Sequence, residues 1–150
     1  MGLFDRLIPP IHDITTDTAD PPAFAALLPA REAAPNGAAY GGARVAAIQA
    51  TAYPDIAPRR LDVPPAAAFE RALAAARAMG WTIAAADRGA GRIEASDRTP
   101  VFRFVDDIVV RIRPDGAGSR IDVRSVSRLG LSDLGKNAAR IRRYLAAVGA

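Results

Sequence analysis

The 150 residues contain no cysteine. Disulfides, thiolate nucleophiles and cysteine metal sites are therefore excluded together, and the redox compartment is left undetermined. His12 is the only histidine, so a Ser-His-Asp arrangement would have to run through it; conventional triad chemistry and the usual zinc sites are disfavoured. No apolar run approaches the roughly 18 residues that would span a bilayer. The start, Met1 to Pro10, has no apolar signal core, and Arg6 stands where a myristoylation motif needs Ser or Thr, so neither export nor lipidation is read from it. Aromatic residues make up only 6% of the chain. The core is therefore expected to pack small side chains, much of it Ala, around a few anchors: Phe69, Trp81, Phe102, Phe104 and Tyr144.

What is present is arginine. Lys136 is the sole lysine in a chain of formal charge +4, and so complete a replacement has its plainest source in GC-rich coding. The charge is unevenly divided. Residues 1–57 hold three Arg against six acids, whereas 58–150 hold 17 basic residues against ten acids. An acidic arm could thus lie across a basic domain, and the basic part also invites an anionic partner.

One domain suits this length. Residues 1–57 read as an extended arm rich in Pro and Gly, with Pro9-Pro10, Pro21-Pro22, Asn36-Gly37 and Gly41-Gly42 as turn signals. Short helices are expected near Ala23–Leu28 and Ala43–Ala52. The apolar residues Phe24, Leu27, Leu28, Val45 and Ile48 imply that the arm packs on the domain.

Residues 58–150 read as an α+β domain. A short strand at Arg60–Val63 precedes a helix over Ala66–Met79, which Gly80 stops. A hairpin follows, Trp81–Ala86 with Arg92–Ser96. Phe102, Phe104, Ile108, Val110 and Ile112 share one parity, with a bend or bulge expected at Asp106-Asp107. After a turn at Pro114–Gly118, a strand over Ser119–Ser127 faces Ile121 and Val123 inward. Leu134, Ala138, Ile141, Leu145 and Val148 stripe a last helix; Lys136, Arg140 and Arg143 take its outer face, and Ser132 or Asp133 caps its start. The order β-α-β-β-β-β-α suits an antiparallel sheet of four to five strands with two helices on one face.

Matching apolar parity across the 114–118 turn puts Ile112 opposite Ile121, Val110 opposite Val123 and Arg111 opposite Asp122. Arg111, Arg124 and Arg128 then share one face with Asp107 and Asp122. Two readings stand: a ladder of salt bridges that braces the sheet, or a pocket in which paired guanidinium groups grip an anion. Ser125, Ser127, Lys136 and Asn137 extend the second reading toward the last helix, whose free N–H groups attract negative charge. The Gly-Lys-Ser/Thr ending of a phosphate-binding loop is absent, and Asn137, near the buried stripe, is better placed for a structural hydrogen bond.

Other chemistry fares worse. Asp106 and Asp107 point to opposite faces of a strand and make no dyad; one is expected to pair with Arg124 or Arg128. Asp13, Asp17 and Asp20 lack the ligand spacing of a calcium loop and are better explained as turn formers. A Ser-Lys pair needs Lys136 to face the sheet, which its place on the helix opposes. Nucleic acid is not expected, because the polar faces lack aromatic platforms, and neither a metal nor a cofactor is expected.

Tyr53-Pro-Asp-Ile-Ala-Pro, Gly80-Trp81, Phe104-Val-Asp-Asp-Ile-Val-Val-Arg111, Asp122-Val-Arg-Ser-Val-Ser-Arg-Leu-Gly130 and Ser132-Asp-Leu-Gly-Lys-Asn-Ala-Ala-Arg-Ile141 together resemble the domain of unknown function 1499 family. The upstream Ile11-His-Asp-Ile-Thr-Thr-Asp17 and Pro21-Pro-Ala-Phe24 resemble the arm of bacterial members. The resemblance carries no catalytic residue set. It implies a periplasmic or cell-envelope setting, since many bacterial members have membrane-spanning helices before the arm and plant relatives are associated with the thylakoid lumen. Here only Met1 to Leu7 precede Ile8, so either a soluble member or a trimmed one is expected.

Three functions follow as expectations. The first is non-enzymatic binding of a small anion or lipid headgroup at the cell envelope. The second is an interaction module that uses the arm. The third is an enzyme, which would need Ser125 or Ser127 beside an activating base.

Overall fold

A computed structural model describes residues 9–149; the reading of Met1 to Leu7 lies outside them. In chain order the described elements are β1 (Asp13–Thr15), α1 (Leu28–Ala33), α2 (Gly42–Ala52), β2 (Arg59–Leu61) and α3 (Pro65–Ala78), followed by β3 (Thr82–Asp87), β4 (Arg92–Arg98), β5 (Val105–Asp115), β6 (Gly118–Ser127) and α4 (Lys136–Val148). They form an α+β structure with an open antiparallel sheet of order β1-β6-β5-β4-β3, in which β2 also pairs with β6.

The central hairpin adopts the register that side-chain parity requires. Val110 meets Val123, Arg111 meets Asp122 and Ile112 meets Ile121, because a slip of one residue would turn every apolar side chain to the wrong face. Gly116, at φ +57°, makes the tight connection. On the outer edge of β6, β1 pairs with residues 124–126 and β2 with 119–121, so a segment of the arm and one just after it share one edge. The arm thereby contributes a sixth strand that its Pro/Gly texture concealed.

α3 and α4 cover one face. Their apolar stripes meet inward-facing Ile108, Val110, Ile112, Ile121 and Val123 in a core rich in Ala. Trp81 stacks on Tyr144 at 4.9 Å between ring centroids, and the Tyr144 hydroxyl donates to Ala72 O at 2.8 Å. That partner removes most of the cost of burying the phenol. The opposite face has its own small cluster, in which Phe24, Leu27 and Leu28 pack on Val109 and Val126.

Four expectations change. β5 begins at Val105, and Phe102 and Phe104 lie exposed in the preceding loop. That segment closes as a turn instead of extending, since Thr99 N donates to Phe104 O and Arg103 N to Thr99 O. No bulge interrupts Asp106-Asp107, where pairing runs on through Arg98–Val105; the irregularity lies between Ile83 and Ala85 in the β3–β4 pair. Leu134 is exposed and precedes α4. The first arm helix begins at Leu28 instead of spanning Ala23–Leu28, because the N–H groups of residues 25–27 turn to Glu94. Among the described residues, no helix is long and apolar enough to cross a membrane.

Candidate functional site

Alternation along β6 separates the residues that the sequence groups together. Arg124 and Arg128 face the arm, whereas Ser125 and Ser127 face α4, so they do not form one site.

On the arm side the arginines are occupied by the chain's own acids. Arg124 donates to both Asp13 oxygens, at 3.0 and 2.8 Å, and to Pro22 O and Ala38 O. Its guanidinium also lies over the Phe24 and Tyr40 rings. Burial there pushes the Tyr40 hydroxyl up to about 12. Asp13 is thus a strand residue and an ion-pair partner instead of a turn former. Asp17 does form a turn, accepting the Ala19 and Asp20 N–H groups, and it also holds Arg111 and Arg120. Burial pushes its carboxyl up, but the Asp20 N–H and the two guanidiniums outweigh burial and leave it below its ordinary value. Asp122 accepts from Thr16 at 2.7 Å and Arg120 at 2.8 Å, with Arg111 at 3.4 Å.

Asp107 is the centre of this face. It takes a two-pronged contact from Arg128 at 2.8 and 3.0 Å, the Ser96 hydroxyl at 2.7 Å and fully buried Arg31 at 3.2 Å. Hydrogen bonding to Asp107 raises the Arg128 guanidinium above its ordinary value; burial lowers that of Arg31. The ladder of salt bridges expected from the sequence therefore exists, but roofed by the arm. Arg31 and Glu94 lie in no motif that marks them in the sequence. Glu94 sits on the same strand parity as Ser96, which was the one available signal.

On the helix side, Asn137 is a buried hub. Its side-chain amide donates to Ser127 Oγ at 3.0 Å, Asp133 Oδ2 at 2.9 Å and His12 O at 3.2 Å. Its carbonyl accepts from Ser125 at 2.6 Å and Arg140 at 2.8 Å. Arg140, expected on the outer face of α4, is buried against Asp106 at 2.8 Å and Asp97 at 3.0 Å. Only one helical turn separates it from Asn137, on the same flank. Gly135 occupies the N-cap position of α4 and supplies no side-chain cap. Asp133 serves from two residues upstream, accepting Gly135 N–H at 2.7 Å, and burial pushes its carboxyl up. Ser132 binds Pro9 O and Leu134 N–H instead. Among the described residues, neither serine hydroxyl has a carboxylate or lysine partner, and no group of three acid or His side chains could hold a metal.

Lys136 is exposed at one end of the sheet, where Asp97, Arg98, Thr99, Arg140 and Arg143 line an open cleft of about 330 Å³ with it. A neighbouring cleft of about 210 Å³ runs between the 99–104 and 129–134 loops, over Ser127, Asp106 and Asp133. Arg98, Lys136 and Arg143 make no ion pair among the described residues.

These features define an open-sheet α+β fold whose charged face is largely covered by residues 13–40, with Arg113, Arg120 and Arg128 partly exposed. The chain belongs to the family described as "Protein of unknown function (DUF1499)", whose model matches residues 13–148. No curated protein matches it. Among solved structures, it is similar to TTHA0849 from Thermus thermophilus, with 12% identity and a TM-score of 0.34 over 61% of this chain and 88% of that one. It is also similar to CalU16 from Micromonospora echinospora, with 13% identity and a TM-score of 0.33 over 61% and 73%. At these values neither likeness bears on function.

Proposed function

We propose that this protein is a non-enzymatic binding domain for an anionic group, phosphate above all, engaged in the cleft of Arg98, Lys136 and Arg143. One observation carries this reading. The sheet-face arginines Arg111, Arg124 and Arg128 are already neutralised by Asp13, Asp17, Asp107 and Asp122, whereas these three exposed cations share an open cleft whose one carboxylate, Asp97, is paired with Arg140. Arg140 beneath them is paired with Asp97 and Asp106 and stiffens the cleft floor. Unpaired cations converging on a concave surface are suited to phosphate or carboxylate oxygens.

Binding is favoured over catalysis because the Ser125 and Ser127 hydroxyls are bonded to Asn137 and Arg140 and lack a base. The arm as a docking element for a partner is disfavoured, since Asp13, Asp17, Asp20 and Asp55 already pair with arginines of the chain. A cell-envelope setting would supply phosphate as lipid headgroups.

Thermal-shift titration with inorganic phosphate and glycerophosphoglycerol tests the reading, because a ligand that binds only the folded state raises the midpoint. Both anions should stabilise the protein. Arg98→Glu with Arg143→Glu should abolish the shift, and Arg128→Gln should preserve it. Absence of stabilisation by either anion overturns the proposal.

A further inference from the structure

The exposed large hydrophobic residues among the described residues are Val101, Phe102, Phe104, Leu129, Leu131 and Leu134, between 46% and 81% exposed. All lie on two loops that flank one cleft at the end of the sheet where the unpaired cations stand. Scattered exposed apolar residues are ordinary, but their confinement to one place marks an interaction surface.

Both loops are held in shape with these side chains pointing outward. In the first, Thr99 N donates to Phe104 O at 2.8 Å and Phe104 N to Thr99 Oγ1 at 2.9 Å, so the turn presents Val101 and Phe102 at its tip. Phe102 stacks on Phe104 at 5.7 Å instead of folding into the core. In the second, Asp133 N donates to Ile11 O and Ser132 Oγ to Pro9 O. Arg103 and Leu134 are the non-glycine residues with positive φ among the described residues, each at 55°, and one lies in each loop. Backbone strain of this kind persists where the surroundings enforce it, and it gathers at functional positions.

We infer that the anion is presented by an anionic lipid bilayer, on which the protein docks by inserting the tips of these two loops. The inference rests on the proposed phosphate-binding role of the cleft and names its partner. Apolar tips with exposed Arg103 among them and the cleft of Arg98, Lys136 and Arg143 alongside combine the two attractions that hold a peripheral protein at a charged membrane: apolar insertion and headgroup pairing. Asp97, which lines the cationic cleft, and Asp106 and Asp133, which line the neighbouring one, are turned to Arg140 and Asn137. A second copy is the weaker occupant, because a two-fold contact would set the same cations against one another.

Flotation of the full chain with vesicles decides it. Binding is expected to vesicles containing phosphatidylglycerol, to fall steeply with salt, and to be absent with phosphatidylcholine alone. Phe102→Asp with Leu131→Asp changes residues more than 70% exposed and should leave the melting midpoint unchanged while weakening vesicle binding at least about tenfold. Arg98→Glu with Arg143→Glu should do the same. Equal binding to both vesicle types, or full binding by the Phe102→Asp/Leu131→Asp variant, overturns the inference. So does a concentration-dependent dimer that this variant abolishes. Stabilisation by glycerophosphoglycerol without vesicle binding overturns the bilayer and keeps the anion site; loss of both overturns the site as well.

Discussion

Arg31, on the arm, and Asp107, at the centre of the sheet, meet at 3.2 Å with neither side chain accessible to water. The Arg31 guanidinium also donates to Val126 O, Ser127 O and Gly37 O. An acid facing one way from a central strand is thereby matched by a cation supplied from 76 residues earlier in the chain.

Replacing Arg31 should therefore be costly. Arg31→Met takes from Asp107 its fully buried cation and from three carbonyl groups a donor, with an expected loss on the order of 3 kcal/mol. Arg128→Met removes the second cation at Asp107 but from a side chain 31% exposed, where water can substitute, and should cost roughly 1 kcal/mol or less. Urea unfolding of both variants measures the contrast; equal losses would show that burial of Arg31 is not what matters.

Glu94 holds the arm at a second point. Its buried carboxylate accepts the N–H groups of Ala25, Ala26 and Leu27 at 2.8, 2.8 and 3.1 Å, doing for the turn before α1 what a capping side chain does for a helix. Glu94→Ala should cost about 2–4 kcal/mol and expose residues 20–40 to protease. Glu94→Gln, which keeps one acceptor, should fall between. A Glu94→Ala arm as resistant as that of the wild type would remove Glu94 from this role.

Asn137 joins Ser125, Ser127, Asp133 and Arg140 through one amide. Asn137→Ala should destabilise by about 2–4 kcal/mol, since several buried groups lose partners together. Phosphate affinity of the folded fraction should stay unchanged, because the amide lies beneath the cleft. A large loss of affinity at unchanged stability would instead make Asn137 a ligand contact.

Acid sensitivity follows from Asp17. Its folded value lies below the ordinary 3.8, so its contribution to stability is fully present above that pH and is lost as pH falls through the folded value. Asp17→Asn can keep the turn to Ala19 and Asp20 while removing the charge beside Arg111 and Arg120. The stability gap between wild type and variant should be flat near neutrality and close below pH 3.8. Asp133 has the opposite sign. Burial raises its value, so ionisation in the folded state is disfavoured, and its contribution falls as pH rises above 3.8 toward the folded value.

Much of this architecture was legible in the chain alone, for a physical reason. Side-chain direction repeats every two residues on a strand, so the apolar parity of residues 108–112 and 121–123 specified which pairs meet and put Arg111 beside Asp122. The same rule separated Asp106 from Asp107, and a 3.6-residue stripe marked α3 and α4. Parity misled at Phe102 and Phe104, where hydrogen bonds from Thr99 close a turn and no strand partner continues the ladder. A local pattern does not show whether a neighbouring strand exists.

The tertiary structure alone decided the ion pairs that tie distant elements together. Asp13 with Arg124, Arg31 with Asp107 and Arg140 with Asp106 join residues far apart in sequence, and an ion pair across such a distance leaves no periodicity to read. The acidic balance of residues 1–57 pointed to an arm lying on a basic surface. Only the fold determined that residues 13–40 cover much of the arginine face and leave the open cations, with six apolar side chains beside them, at the end of the sheet. Chain topology brings the 99–104 and 129–134 loops together there, and neither loop announces the other in sequence.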